Sequence, residues 1–371
     1  MKAKYFCSAV GMVVALGGAS QPVSAQSSVT LYGVIDAGVT YFSNLNGHGT
    51  FVAQDGSIQS NRWGLLGSED LGGGTKIIFQ LENGFNLYSG TLVQPGVLFS
   101  RQSWIGVNNA RYGSFKLGKQ FDFFWDNLTQ FAMGQYAGQY SWHPGDFDHL
   151  AGTLHINNAL KYASSVYRGL SVGALYAFPS SSVSAGTGRV IAFGARYDGG
   201  PFQAGVAYTD THDLGLNAPS QAGTTLFPNL PAAPLVGTSV SSIGAGASYR
   251  FGPSLTRLLF TDTHFRIRND NGSMPVYEIS ELFQFTPAAT LMGGYWYAKL
   301  SEQKFQNATL LFDYAISKRT DVYASGSYLH ASGGAAPVFL GGGSAPIFLN
   351  GSLVGTGDSA KAIRVGMRTR F

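Results

Sequence analysis

Residues 29–41 read VTLYGVIDAGVTY. Taken alternately, Val29, Leu31, Gly33, Ile35, Ala37, Val39 and Tyr41 fall on one face, and Thr30, Tyr32, Val34, Asp36, Gly38 and Thr40 on the other. A period of two belongs to a β-strand. The apolar face is unbroken over a length that crosses a bilayer core at a tilt, about 9–11 residues. The second face is small and polar, where a soluble sandwich would place large apolar side chains.

The pattern recurs along the chain. Segment 170–178 sets Leu170, Val172, Ala174, Tyr176 and Phe178 against Ser171 and Gly173, and 202–209 sets Phe202, Ala204, Val206 and Tyr208 against Gln203, Gly205, Ala207 and Thr209. Segments 243–251 and 308–316 repeat it. Aromatic residues gather at the ends of the apolar faces, at Tyr41, Phe178, Tyr208, Phe251 and Tyr314, where an interfacial girdle belongs. The last stretch, AIRVGMRTRF at 362–371, puts Arg364, Arg368 and Arg370 together on one face. An arginine facing lipid near the midplane costs ~2–4 kcal/mol, so that face must meet water or the rim.

Composition agrees. Charged residues are 12% and aromatic residues 13%, glycine totals 50, and mean hydropathy is only +0.04. Beyond the first 25 residues no run approaches the ~18 apolar residues of a helical span. In hydrocarbon every peptide group needs a partner, and without helices only a closed barrel provides one. The fold class expected is therefore all-β, a transmembrane antiparallel barrel.

Short connections read as tight turns at Gly72-Gly73-Gly74, 108–113, Asp198-Gly199-Gly200, Gly252-Pro253, Thr286-Pro287 and Lys318-Arg319. Between them come long stretches at 43–57, 121–153, 210–238 and 332–358. Alternation of short turns with long loops is the asymmetry of bacterial barrels. Counting through the turns gives about sixteen strands, an even number as that architecture requires; segments 58–70 and 274–286 are the least regular.

Residues 1–25 read as an export leader: Lys2 and Lys4, an apolar run from Ala9 to Ala19, then Val23-Ser24-Ala25 as a cleavage pattern. Cleavage leaves 26–371 as the barrel. Cys7, the sole cysteine, leaves with the leader, which excludes disulfides, catalytic thiols and thiolate metal sites. Net charge falls from +4 to +2 with Lys2 and Lys4. No basic block suggests nucleic acid.

The stretch 121–153 is the candidate for a loop folded into the lumen. It carries Asp122, Asp126, Asp146 and Asp148 with no lysine or arginine, and Phe121, Phe123, Phe124, Trp125, Phe131, Tyr136, Tyr140, Trp142 and Phe147 are too many rings for a freely solvated loop. Lys116 and Lys161 stand between apolar neighbours on the inward parity of their strands, as wall charges would. Opposed charges at a constriction give a pore its ion preference. His143, His149 and His155 lie six apart without a metal motif. GGGTK at 72–76 lacks the first glycine of a phosphate loop. No nucleophile elbow is present, so the expectation is a channel and not an enzyme, with no cofactor and no metal.

Several motifs in order along the chain carry a resemblance: SSVTLYGVIDAGV, RWGLLGSEDLGGGTKIIFQLENGF at 62–85, LFSRQSWIGV at 98–107, YGSFKLGKQ at 112–120, NNALKYAS at 157–164, GLSVGALYAF, YDGGPFQAGVAY, FQFTP at 283–287 and VGMRTRF at the end. Together they resemble the β-proteobacterial general porins, the group that includes the anion-selective Comamonas/Delftia-type porin. The resemblance implies a sixteen-stranded homotrimer in the outer membrane, passive diffusion of ions and small hydrophilic solutes, and a third external loop inside the pore. It maps wall cations onto Arg62 and Arg101, and places His155 where relatives carry an arginine. Phe371 looks like the signal read by the barrel-assembly machinery. The remaining partners implied are outer-membrane lipid and lipopolysaccharide. A neutral His155 weakens the cationic wall, so the expectation is a mild anion preference that grows as pH falls below ~6.5. The competing expectations are a substrate-specific channel and, from another class, a membrane-embedded hydrolase or adhesin.

Overall fold

The computed structural model describes residues 27–45, 47–179, 188–212, 238–267, 270–339, 353–354 and 357–371. The leader at 1–25 lies outside the described residues, as do 213–237 and 340–352 of the expected long connections. The strands are β1 (Ser28–Leu45), β2 (His48–Asp55), β3 (Arg62–Gly72), β4 (Thr75–Gly84), β5 (Gln102–Asn109), β6 (Gly113–Gln120), β7 (Ile156–Ala163), β8 (Leu170–Ala177), β9 (Val190–Gly199) and β10 (Phe202–His212). They continue with β11 (Thr238–Phe251), β12 (Ser254–Ile267), β13 (Asp270–Gln284), β14 (Ala289–Leu300), β15 (Gln303–Ala315), β16 (Thr320–Ser332), β17 (Val338–Phe339), β18 (Leu353–Val354) and β19 (Ser359–Arg370).

From β3 to β16 each strand pairs antiparallel with the next, and β19 pairs with both β16 and β1 to close the sheet. β1 is long enough to pair along its first part with β3 and along its second with β2. Those two pieces make one stave, so the barrel has sixteen. β17 and β18 form a separate hairpin in the last long connection.

Alternation becomes inside and outside. Val29, Leu31, Ile105, Leu117, Val206, Leu310, Ile363 and Val365 are exposed on the outer surface, while Asp36, Thr40, Thr209, Ser242, Thr309 and Arg364 are buried within. Tyr197, Phe202, Tyr249, Phe251, Phe283, Phe285, Tyr314 and Phe371 ring the end where the short turns lie. Satisfying the peptide groups by closure is what lets so polar a lining coexist with an apolar exterior.

Two details differ from the sequence expectation. The stretch 43–57 is mostly strand: β1 runs on to Leu45 and β2 returns, with Tyr41 and Phe51 rings 5.0 Å apart on the outer face. Alternation persists there under polar residues, because cross-strand pairing and not hydrophobicity sustains a strand above the membrane. Of the irregular segments 58–70 and 274–286, residues 62–70 belong to β3 and 274–284 to β13. The turn Gly72-Gly73-Gly74 has all three φ angles positive, at 79°, 59° and 74°; L side chains adopt that conformation only at a cost.

Candidate functional site: an internal loop and a charged wall

Residues 121–153 leave the end of β6 and fold inward as short helical turns at Phe124–Leu128, Thr129–Phe131, Gly134–Ala137, Gln139–Ser141 and Pro144–Asp146. Their path is written in polar contacts. Asp122 accepts the Thr209 hydroxyl of β10 at 2.8 Å, and Trp296 of β14 donates its indole N–H to Ser141 O at 2.8 Å. Asn307 of β15 donates to Tyr140 O at 2.9 Å, the Ser141 hydroxyl meets Thr309 at 3.1 Å, and the Tyr140 hydroxyl reaches Thr40 of β1 at 2.8 Å. The loop therefore lies along the inner faces of β10–β15 and β1. Space for it comes from small residues: a Cβ on Gly246 would stand 2.3 Å from the Phe131 ring, and one on Gly205 2.6 Å from Asn127 O.

One side chain fastens the loop more than any other. His143 is fully buried, with Nδ1 2.5 Å from Asp148 Oδ2 and Nε2 2.8 Å from Glu278 Oε2 on β13. Glu278 also accepts the Met133 backbone N–H, and Asp148 accepts the Thr261 hydroxyl of β12 at 2.7 Å. Burial opposes a charge on His143, yet Asp148 and Glu278 together raise its pKa to about 10. It is an imidazolium clamped between two carboxylates, and sequence reasoning missed both Glu278 and this role. The signal was present in VYEIS at 276–280, where Glu278 holds the inward parity.

The acids named from sequence do not line a water-filled face as free carboxylates. Asp122, Asp146 and Asp148 are buried. Burial opposes ionisation of Asp122, but His149 at 2.9 Å, the Thr209 hydroxyl and backbone N–H groups hold it below the usual range. Asp148 is likewise held low by His143 despite burial. Asp146 accepts N–H groups from Ala151 and Thr153 inside the loop; burial and the nearby Asp148 raise it to about 7. Asp126 alone of the four is substantially exposed, and Lys161 Nζ binds it at 2.6 Å. Several of their partners, Thr209, Thr261, His149 and Lys161, lie tens of residues or more away, so the sequence carried the charges and not their cancellation.

The cations occupy the other side of the barrel. Arg101 donates Nε to Glu82 at 2.7 Å, and Arg62 Nε stands 3.6 Å from the same carboxylate. Lys116 and Lys161 face each other in register across β6 and β7. Lys161 also donates to Phe121 O at 2.8 Å, whereas the Lys116 ammonium rests 4.4 Å from the Trp104 ring centre. Glu82, which tempers the arginine pair, was not picked out from sequence.

His155 corrects an expectation. Its half-buried ring lies 4.5 Å from Phe121 with Nε2 shut off from solvent, and this desolvation, with Arg101 and Lys119 adding repulsion, holds its pKa well below the ordinary value. It stays neutral where a solvated histidine would charge. Reversal potentials in a salt gradient are therefore expected to show no inflection centred near pH 6.5 that His155→Gln removes. A wild-type shift there that the variant lacks would contradict this placement.

A closed barrel, apolar outside and polar within, holding a long loop against its inner wall, defines an outer-membrane channel. Comparison with known proteins makes this specific. Residues 11–334 match the family model described as Gram-negative porin, and the chain belongs to that family. It is similar to an outer membrane porin protein of Bordetella pertussis, 28% identical over 86% of this chain and 92% of that one. It is also similar to outer membrane porin protein 32 of Delftia acidovorans, 27% identical over 97% and 99%. The solved anion-selective porin from Comamonas acidovorans shares the fold, with a TM-score of 0.76 at 23% identity over 93% of this chain and all of that one. The chain is thus a general porin of the outer membrane, a pore and not an enzyme.

Proposed function

We propose that residues 121–153 narrow the channel, that the wall facing them gives a mild preference for anions, and that three copies assemble side by side. The observation that carries the charge preference is an imbalance of neutralisation. The loop's acids are consumed in pairing to His143, His149, Lys161 and backbone donors. On the wall, four cations, Arg62, Arg101, Lys116 and Lys161, form ion pairs among the described residues with two carboxylates, Glu82 and Asp126, so the wall itself carries an excess of cations. Low-dielectric walls focus such a field on a passing ion. The Comamonas acidovorans porin, whose fold this chain shares, is described as anion-selective.

The trimer reading rests on barrel height. β5, β6, β7 and β8 have eight residues each, against fourteen or fifteen in β11, β12 and β13. Eight residues at ~3.4 Å, tilted by about 40°, rise roughly 21 Å, short of the ~25 Å apolar band. This low wall, carrying exposed Ile105, Val107, Phe115, Leu117 and Leu160, is the side that neighbouring copies would cover. A solved OmpT of Vibrio cholerae, described as a trimer form, has a TM-score of 0.63 to this chain. In the same reading 1–25 is the cleaved leader, and Phe371, its backbone paired to Gly33 in both directions, is the assembly signal.

Reconstitution of SDS-resistant oligomer into planar bilayers tests all three parts. Current is expected to rise in steps grouped by three, with a reversal potential in a KCl gradient on the chloride side of zero. Lys116→Glu changes the lumen by two charges and is expected to carry the reversal potential toward the cation side. Single uncorrelated steps would remove the trimer; an unshifted potential in the variant would remove the wall.

A further inference from the structure

Arg257 projects inward from β12 and is 1% exposed. Among the described residues Nε, Nη1 and Nη2 find no hydrogen-bond partner. The Tyr136 ring of the internal loop covers the guanidinium at 4.0 Å. Ser248 and Ser280 flank it in register on β11 and β13, both buried, and the Ser280 hydroxyl also has no partner among the described residues.

Two neighbouring carboxylates, Glu278 and Glu281, act on this cation through space but give it no hydrogen bond. Glu278 gives one oxygen to Met133 N–H and the other to His143. Glu281 holds the outward parity of Tyr277 and Ile279, and takes the Thr256 hydroxyl at 2.5 Å. A buried guanidinium that the Tyr136 ring covers and no acceptor hydrogen-bonds has lost its hydration, an expensive state that charges at a distance only partly offset. Contact with an aromatic face returns only part of that loss. Donors gathered without acceptors describe the complement of an anion.

We infer that Arg257 and Ser280 form a binding site for a small oxyanion, with Tyr136 as its cover. A guanidinium fork presents parallel N–H donors that suit two oxygens of a phosphate-like ion, and the Ser280 hydroxyl supplies a further donor. The ring of Tyr136 turns aside to admit the ion. The site is on β12, apart from the cations of β3, β6 and β7, and does not depend on their net preference.

The test uses the intact oligomer in planar bilayers, with chloride carrying the current and inorganic phosphate added as blocker. Wild-type channels are expected to show saturable block. Arg257→Gln should raise the half-blocking concentration about tenfold or more, the scale of a charge-assisted contact, and Arg257→Lys should recover part of it. Tyr136→Ala keeps the cation and uncovers it, so it should lower the half-blocking concentration. Lys116→Glu should shift the reversal potential, yet adding it to both proteins should leave the ratio of half-blocking concentrations between Arg257→Gln and its parent in place. That separates this site from the wall. Absence of saturable block in wild type, or equal block in Arg257→Gln, overturns the inference. Should Arg257→Gln fail to yield SDS-resistant oligomer, unchanged block in Tyr136→Ala overturns it as well.

Discussion

Asp36→Ala is expected to open the barrel at its seam, with a loss of about 3–5 kcal/mol, the range for removing one partner of a buried ion pair. Asp36 on β1 and Arg364 on β19 are both fully buried, with Oδ1 and Nη2 3.3 Å apart. The carboxylate also accepts the Tyr323 hydroxyl of β16 at 2.7 Å and the N–H groups of Ile58 and Gln59 at 3.1 and 3.2 Å. Arg364 donates further to Tyr323, Thr40 and Gln54 O. The alanine would leave the Arg364 guanidinium without its paired carboxylate, and a phenol and two peptide donors without their acceptor, at the joint between first and last strands. The temperature at which the unheated, SDS-resistant oligomer converts to the unfolded monomer should drop sharply. Asp36→Asn, which keeps an acceptor for Tyr323, should fall less. An unchanged transition in Asp36→Ala would mean that the seam is held by strand pairing alone.

His143→Ala should release the loop while leaving the barrel closed. The substitution leaves Glu278 and Asp148 buried without their shared cation, again ~3–5 kcal/mol for the broken contact. Here the loss falls on loop attachment, so the readout is conductance: larger and noisier openings, with SDS resistance retained. Titration gives the same answer from another side. A histidine pKa raised from 6.5 to about 10 in the folded state contributes its full stabilisation below 6.5. That contribution declines as pH climbs and is gone above about 10. Wild-type channels should therefore be quiet from pH 5 to 7 and flicker near pH 10.5, a change absent in the variant. Identical single-channel traces for both proteins at pH 7 would show that the His143 clamp does not hold the loop.

Both predictions concern residues that the sequence displayed without explaining. VIDAG and AIRVG each put one charge on the polar side of an apolar strand, so the inward direction of Asp36 and Arg364 was legible from parity alone. Their pairing was not, because 328 residues separate them and only closure makes β1 and β19 neighbours. The internal loop was legible in a different way, through nine rings and four acids that water would not favour together. Its acids nevertheless read as free charges until Thr209, Thr261 and Lys161 supplied their partners. His155 shows the same gap: its type suggested titration near neutrality, and its desolvation beside Arg101 and Lys119 removed it.

What the chain alone determined is the architecture, because a period of two, an apolar face of membrane length and the want of any helical span leave a closed sheet as the sole way to pair every peptide group in hydrocarbon. What only the tertiary structure decided is which charges the lumen keeps. Ion pairing depends on distances of a few ångströms between residues tens to hundreds of positions apart, and strand register sets those distances where composition cannot.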